Sequence, residues 1–354
     1  MSESERLVSR NLSRATGLSA TYRAIQLTAR GGPEVLRPVA LPLREPAAGD
    51  ARVRVRATGI GFTDVIMRRG WYPFAPPIPF VPGYEIVGTV DAVGPGVERV
   101  RPGQRVAALT VYGGYAEYLY RSADELVPVP DGLDDVQVAA VILNYVTAWQ
   151  LIHRVARAKP QQTALVTGAS GGVGTALLEL LSLAGVETFG AASERAAPIV
   201  RALGALPLRS RASPLRVQVD SQIAGGVDMA FDGIGGRTLA DCVRATRRGG
   251  RVLAYGLTGT WSPQGTDRLE LGRGLLWLYV LGRLLLRRTS FYGITALYRR
   301  DRRPFLEDLP KIFELLGEGR IQPRIAGRVS LADVPGVHAA LERGGVDGKF
   351  VIVF

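Results

Sequence analysis

Residues Thr163 to Gly174, T-A-L-V-T-G-A-S-G-G-V-G, set a short β-type run directly against a turn in which Gly168, Gly171 and Gly174 recur at every third position. Ala164-Leu165-Val166 suits a buried parallel strand. From Val173 to Leu183 apolar residues recur at helical spacing, so the glycines fall at a strand-to-helix junction. Glycine there permits a tight turn, lets backbone approach a phosphate and brings helix close to strand, while the free N–H groups of the first helical turn face the anion. The chemistry on offer is a dinucleotide pyrophosphate held by Gly168, Ala169, Gly171, Gly172, Val173 and Gly174. The bland alternative is a plain glycine-rich loop, and the strands and helices that follow weigh against it.

The elements that must position this turn belong to a chain of 354 residues, long enough for two lobes and a cleft. Hydrophobic residues make up 47% and charged residues 21%, which excludes a disordered chain. The single cysteine, Cys242, excludes an internal disulfide framework and a Cys-rich zinc lobe, and points to a reducing, cytoplasmic compartment. The net charge of +12 is carried almost wholly by arginine and speaks to association, not to fold. No helix-turn-helix pattern or aromatic-interleaved basic patch accompanies it, so nucleic acid is not expected as a partner.

Residues 1–20 are polar, with no apolar run of signal-peptide length, and read as a flexible extension. Residues 21–143 are short β-type runs broken by Gly and Pro, which predicts a barrel-like lobe with little helix. Residues 144–290 switch to alternation: strands at Thr163–Thr167, Glu187–Ala191, Val227–Asp232 and Arg251–Tyr255, with helices over Val173–Ala184, Arg195–Leu203 and Thr238–Thr246. That is a doubly wound pattern. Residues 291–354, with a helix around Pro304–Leu316 and a closing strand Gly348–Phe354, return to the first lobe. Leu271–Leu286 alone could raise a membrane claim, but Arg273 and Arg283 leave only Gly274–Gly282 between them, too short to span a bilayer as a helix. It reads as a helix packed on the protein or a second subunit, or, given Arg287 and Arg288, as an interfacial segment; membrane association is not expected.

Several separated stretches, in order, resemble the medium-chain dehydrogenase/reductase superfamily. They are G-F-T-D-V-I-M-R-R-G-W-Y-P (61–73), P-F-V-P-G-Y-E-I-V-G (79–88), N-Y-V-T-A-W (144–149), the 168–174 turn, V-D-M-A-F-D-G-I-G-G (227–236) and R-V-L-A-Y-G (251–256). Within it the chain resembles the zinc-free quinone oxidoreductase branch, and F-Y-G-I-T-A-L-Y-R-R (291–300) is similar to relatives of zeta-crystallin and of the vesicle amine transport protein. The resemblance implies an α/β chain with a GroES-like β-barrel catalytic domain, a Rossmann doubly wound parallel-sheet domain, a site between them and a homodimer joined through the Rossmann lobes. It also implies that Asn144 and Thr147 approach the nicotinamide side of the coenzyme, and that Gly256 and Leu257 line its ring.

Where zinc-dependent relatives carry Gly-His-Glu, this chain has Gly83-Tyr84-Glu85; their first ligand position falls in Gly59–Gly61 and their second Cys near Asn144. His153 and His338, the only histidines, lie outside these motifs, so no zinc is expected. Hydride removal from a simple alcohol needs something to hold the developing alkoxide, as zinc does. Without metal, a quinone or α,β-unsaturated carbonyl is the easier acceptor, because its charge spreads to an oxygen that a hydroxyl or N–H can hold. At the end of the second strand Ser193 and Arg195, with Arg209 and Arg211 further on, favour the 2′-phosphate of NADPH, while Glu194 favours NADH. The proton donor is open among Tyr84, Tyr72 and Asp64; Asp64 could instead fix its loop, and either phenol could simply wall an apolar pocket. Trp71, Tyr72, Phe74 and Phe80 make that pocket aromatic and suited to a small, flat, hydrophobic substrate. Two other readings remain: a non-redox module of the same fold that binds a partner or a membrane, and an NADP-dependent cyclase or isomerase of a polyketide-like substrate.

Overall fold

The computed structural model describes residues 20–209, 213–262 and 265–354. β1 (Thr21–Leu27) and β2 (Leu36–Pro42) form an antiparallel pair. In β3 (Asp50–Ile60) strict alternation buries Ala51, Val53, Val55 and Ala57 and turns the intervening arginines outward, so one face joins a barrel-like core. β3 pairs antiparallel with β4 (Glu85–Val93), which pairs with β5 (Arg105–Leu109). β6 (Tyr118–Ser122) lies against β3, and β7 (Val127–Pro128) closes on β5.

This lobe holds more helix than the sequence pattern predicts. Phe62–Arg69 is a helix of eight residues, too short for its apolar period to stand out. It forms because the Asp64 carboxylate accepts the Gly61 N–H at 2.9 Å in the first turn, and because Gly70 ends it in a left-handed conformation at φ +82°. A longer helix begins where Asp134 accepts the N–H groups of Val136 and Gln137, runs through Asp135–Trp149 and continues as a wider-turned helix over Gln150–Ala156. It is long and apolar enough to cross a membrane by composition, yet 78% of its most apolar window is buried inside the protein. It is the spine of the core.

The second sheet is built from β8 (Thr163–Thr167), β9 (Glu187–Ala192), β10 (Leu206–Arg209), β11 (Val227–Asp232) and β12 (Thr246–Ala254). Beyond β13 (Trp261–Ser262) and β14 (Gly265–Thr266), β15 (Arg288–Phe291) completes it. The strands are parallel in the order β10-β9-β8-β11-β12-β15. β8 and β11 coincide with the predicted runs, and Gly172–Leu183 falls one residue before the predicted helix. β10 and β15 have no counterpart in the sequence reading. Both are four-residue edge strands, and β10 carries Pro207, which a strand tolerates only at an edge. The order reverses between β8 and β11, which opens a crevice beyond their carboxyl ends.

The Leu271–Leu286 segment is helical. It runs Arg268–Leu276, turns more widely through Trp277–Leu281 and ends at Gly282–Leu284. Gly274, Leu278 and Gly282 face inward; a Cβ at Gly282 would lie 2.5 Å from Thr289 of the edge strand, so its lack of a side chain sets how closely the helix packs. The opposite face leaves Leu275, Leu276, Tyr279, Val280, Leu284, Leu285 and Leu286 exposed. The chain then returns through the helices Ile294–Arg300 and Arg303–Gly317 to β16 (Ile325–Val329), the helix Val334–Arg343 and β17 (Lys349–Val353). β17 pairs with β3 and parallel to β16, so the C-terminus extends the first sheet.

Candidate active site

The glycine turn lies at the strand-order reversal. Gly168 has φ +61°, a left-handed backbone that glycine adopts freely, and it directs its carbonyl to the Gly171 N–H at 3.0 Å. No side chain caps the helix that begins at Gly172, an arrangement in which leading N–H groups can meet an anion, and Gly171 also forms a backbone bridge with Gly348. The turn has no spare volume. A Cβ at Gly174 would lie 2.1 Å from the Gly168 carbonyl oxygen, and one at Gly172 would meet the Asn144 amide nitrogen at 2.4 Å. Asn144 therefore reaches the turn from the long helix, and Thr147 stands one turn beyond it, nearly buried. Ala169 is enclosed, its N–H bonded to the Ala191 carbonyl, and Val173 is half-buried. These features fit a pyrophosphate-bearing coenzyme.

Beyond β11, Asp232 is fully buried and ties the crevice floor together, accepting from the Thr167 hydroxyl at 2.5 Å and the Gly235 N–H at 2.8 Å. Burial raises its pKa against these donors. Gly256 and Leu257 follow β12 on the same rim, and a Cβ at Gly256 would lie 2.5 Å from the Gly233 carbonyl. At the end of β9, Ser193 is exposed. Arg195 donates to the Gly345 carbonyl at 2.7 Å and pairs with Asp347 at 2.8 Å, whereas Arg209 meets Glu194 at 3.2 Å with both side chains mostly in solvent. Arg211 lies outside the described residues.

The catalytic candidates lie on the barrel side. The Tyr72 hydroxyl is 2.6 Å from that of Tyr84 and 2.5 Å from that of Thr295, and the Tyr84 and Thr295 hydroxyls also bond to each other. Tyr84 and Thr295 are fully buried and Tyr72 half-buried, so Tyr72 is the least enclosed of the three. Burial raises both phenol pKa values, that of Tyr84 most strongly; the hydroxyls of Thr295 and Tyr84 and the charge of Arg299 draw Tyr72 back down. Thr295 was not among the sequence candidates. It follows the edge strand, and the Tyr292 N–H bonds to the Ala254 carbonyl at 2.7 Å, which brings this segment beside the rim that carries Gly256. Of the predicted aromatic wall, Tyr72 and Phe74 meet edge to face at 5.7 Å, Phe80 is buried against Tyr112, and Trp71 is half in solvent.

Asp64 is buried behind this cluster, and its two oxygens accept the N–H groups of Gly61 and Gly83, at 2.9 and 3.1 Å. Burial raises its pKa to about 6, against those two N–H groups. Glu85 pairs with Lys349 at 2.7 Å in a wholly buried contact, and burial raises the carboxyl pKa while the ammonium opposes it. Gly59 makes room for the pair: a Cβ there would lie 1.9 Å from the Glu85 carboxylate. At the Gly83-Tyr84-Glu85 motif this chain thus has a phenol hydrogen-bonded to its neighbours and a carboxylate held by a lysine. Cys242 is buried in the other lobe, His338 faces Tyr115, and His153 stacks on Trp149. Among the described residues no three His, Cys, Asp or Glu side chains gather to hold a metal ion.

Residues 47–131 match the alcohol dehydrogenase GroES-like domain family, and residues 206–352 match the zinc-binding dehydrogenase family. The rat (Rattus norvegicus) quinone oxidoreductase is 33% identical over 253 residues, which span 70% of this chain and 76% of that protein. The chain belongs to the medium-chain dehydrogenase/reductase superfamily, in its quinone oxidoreductase branch. It is an oxidoreductase with a GroES-like lobe and a Rossmann-type lobe. Among solved structures, the quinone oxidoreductase of Pseudomonas syringae superimposes with a TM-score of 0.83 at 25% identity, over 94% of this chain and 100% of that one. A mycobacterial structure complexed with NADPH superimposes with a TM-score of 0.81 at 27% identity, also over 94% of this chain and all of the other.

Proposed function

We propose that this medium-chain reductase uses NADPH to reduce a quinone or an α,β-unsaturated carbonyl without zinc. The observation that carries the reading is the Tyr72 hydroxyl, half-buried in an aromatic wall and attached to the segment beside the Gly256 rim. Gly168, Ala169, Gly171, Gly172, Val173 and Gly174 would hold the pyrophosphate of NADPH, and Asn144, Thr147, Gly256 and Leu257 would orient its nicotinamide end, from which a hydride would reach the conjugated carbon of the acceptor. Ser193 and Arg209, with Arg195 beside them, receive the 2′-phosphate; Arg209 is the freer base, because its partner Glu194 is solvated and exposed ion pairs hold weakly. Tyr72 gives its proton to the acceptor oxygen, where charge develops. Tyr84 supports it, and Asp64 acts by fixing the loops at Gly61 and Gly83. The mycobacterial NADPH complex and the quinone oxidoreductase relatives support the coenzyme and substrate class.

We also propose a cytoplasmic homodimer. The unpaired edge of β15 with Phe291, next to the exposed Tyr279, Val280 and Leu284–Leu286, supports pairing of two Rossmann lobes, and the lone buried cysteine suits a reducing compartment. The test is purified protein with NADPH and a panel of quinones and enones, following loss of reduced-nicotinamide absorbance and the mass of the product. No oxidation above blank by protein that binds NADPH rejects the reading, and a product of unchanged mass favours the isomerase alternative.

A further inference from the structure

We propose that Thr295 and Tyr84 are positioning residues that prime the Tyr72 hydroxyl to donate to the substrate oxygen, with the Arg299 guanidinium as fixed positive charge behind it. This deepens the proposed function and rests on Tyr72 being the donor. Each of the three hydroxyls lies within hydrogen-bond reach of the other two, so the cluster can satisfy all three O–H groups internally. An acceptor oxygen in the crevice can reach only the half-buried member, so binding rotates the Tyr72 O–H outward and leaves the Thr295 and Tyr84 hydroxyls free to donate to the Tyr72 oxygen. Chained hydrogen bonds of this kind strengthen the terminal donor, and they hold the phenolate that remains after transfer.

The balance is simple. The acceptor receives a hydride, with its electron pair, from the reduced nicotinamide, which is oxidised. The Tyr72 O–H bond breaks, its proton goes to the acceptor oxygen, and the phenolate is reprotonated from solvent at the crevice mouth. The groups facing Tyr72 are Tyr84 and Asp64 from its own lobe, and Thr295 and Arg299 from the Ile294–Arg300 helix. Arg299 donates to the Phe74 carbonyl at 3.1 Å and lies over the Phe74 ring, with no carboxylate partner among the described residues, so its charge is not cancelled where the phenolate forms. Thr295 and Arg299 follow the last strand of the coenzyme lobe, whereas Tyr72 and Tyr84 belong to the barrel. The donor is therefore assembled from segments more than two hundred residues apart in the chain.

The test places a ring-difluorinated tyrosine at position 72 and follows its ionisation by fluorine NMR in coenzyme-free protein. Thr295→Val, which keeps shape and removes the hydroxyl, is expected to raise the titration midpoint of that label by about one pH unit, with Tyr84→Phe moving it the same way. Thr295→Ser restores it. In turnover with NADPH and an enone, Thr295→Val is expected to lower kcat about tenfold with KM nearly unchanged. An unmoved label midpoint in both Thr295→Val and Tyr84→Phe overturns the priming, as does a Thr295→Ser variant as impaired as Thr295→Val, which would assign the position to packing alone. Full turnover by Tyr72→Phe would instead remove the donor assignment on which this rests, and the fluorine readout distinguishes the two failures because it needs no turnover.

Discussion

Replacing Gly174 by alanine tests whether the turn binds because of its shape. The new Cβ would lie 2.1 Å from the Gly168 carbonyl oxygen and 2.8 Å from the Ala169 Cα, both backbone atoms. Ordinary contacts are roughly 3.5 Å, so the strand-to-helix spacing must open by more than about 1 Å. It cannot do so locally, because Gly168 is held by the Gly171 N–H at 3.0 Å and Ala169 by the Ala191 carbonyl at 3.2 Å. Overpacking of this kind costs about 1–3 kcal/mol. If it falls on the bound geometry, the dissociation constant for NADPH rises roughly tenfold to a hundredfold. Gly171 is the internal control. It has the same residue type and the same motif, but its Cβ would meet only the Gly168 oxygen, at 3.3 Å, and its backbone is extended. Calorimetric titration of NADPH into both variants, with melting curves, should show Gly171→Ala within about threefold of the parent and Gly174→Ala far weaker. Equal loss in both, or no loss in Gly174→Ala, would refute the argument that close strand-helix contact is what the third glycine secures.

Other perturbations separate the remaining roles. Lys349→Met should destabilise the protein by about 3–5 kcal/mol in urea unfolding, because it strands Glu85, and the double variant Glu85→Gln with Lys349→Met should recover most of that loss. A double variant no better than the single would mean that the pair matters for its shape and not its charge. Asp64 has a folded pKa near 6, above the ordinary carboxylate value, so its contribution to stability is present in full below about pH 4 and is lost as pH rises through 6. The effect is up to about 3 kcal/mol. Asp64→Asn should flatten the melting-temperature profile across that interval, and an unchanged slope would place the titration elsewhere. Arg209→Ala should weaken NADPH binding about tenfold while leaving NADH unchanged; equal loss of both coenzymes would remove Arg209 from the phosphate site. Phe291→Glu, on the edge strand, should convert a dimer to a monomer in sedimentation, and a dimer that persists would move the interface off β15.

Much of the coenzyme lobe was legible because its signals are local. The run at Thr163–Thr167, the glycines at every third position and the apolar helix after them lie within two dozen residues, and β8 and β11 appear where their apolar runs stand. Short elements were illegible. β10 and β15 are four residues each, and the Phe62–Arg69 helix owes its start to a carboxylate and its end to Gly70, not to a periodic pattern. Thr295 gave no signal, since one threonine in F-Y-G-I-T-A-L looks like any other until the chain path brings it against two tyrosines more than two hundred residues earlier.

By itself, then, the residue order determined the class of chain: two lobes, a doubly wound sheet, a glycine-rich turn at a strand-to-helix junction, and a Gly-Tyr-Glu where zinc-dependent relatives carry Gly-His-Glu. These follow from period, composition and side-chain chemistry, which act over a few residues. Only the tertiary structure decided that Asp64 is enclosed by Gly61 and Gly83, that Lys349 holds Glu85, and that Tyr72, Tyr84 and Thr295 share their hydroxyls. Each of those depends on burial and on partners distant in sequence, and a pKa or a hydrogen bond is a property of the surroundings that folding assembles and not of the residue that bears it.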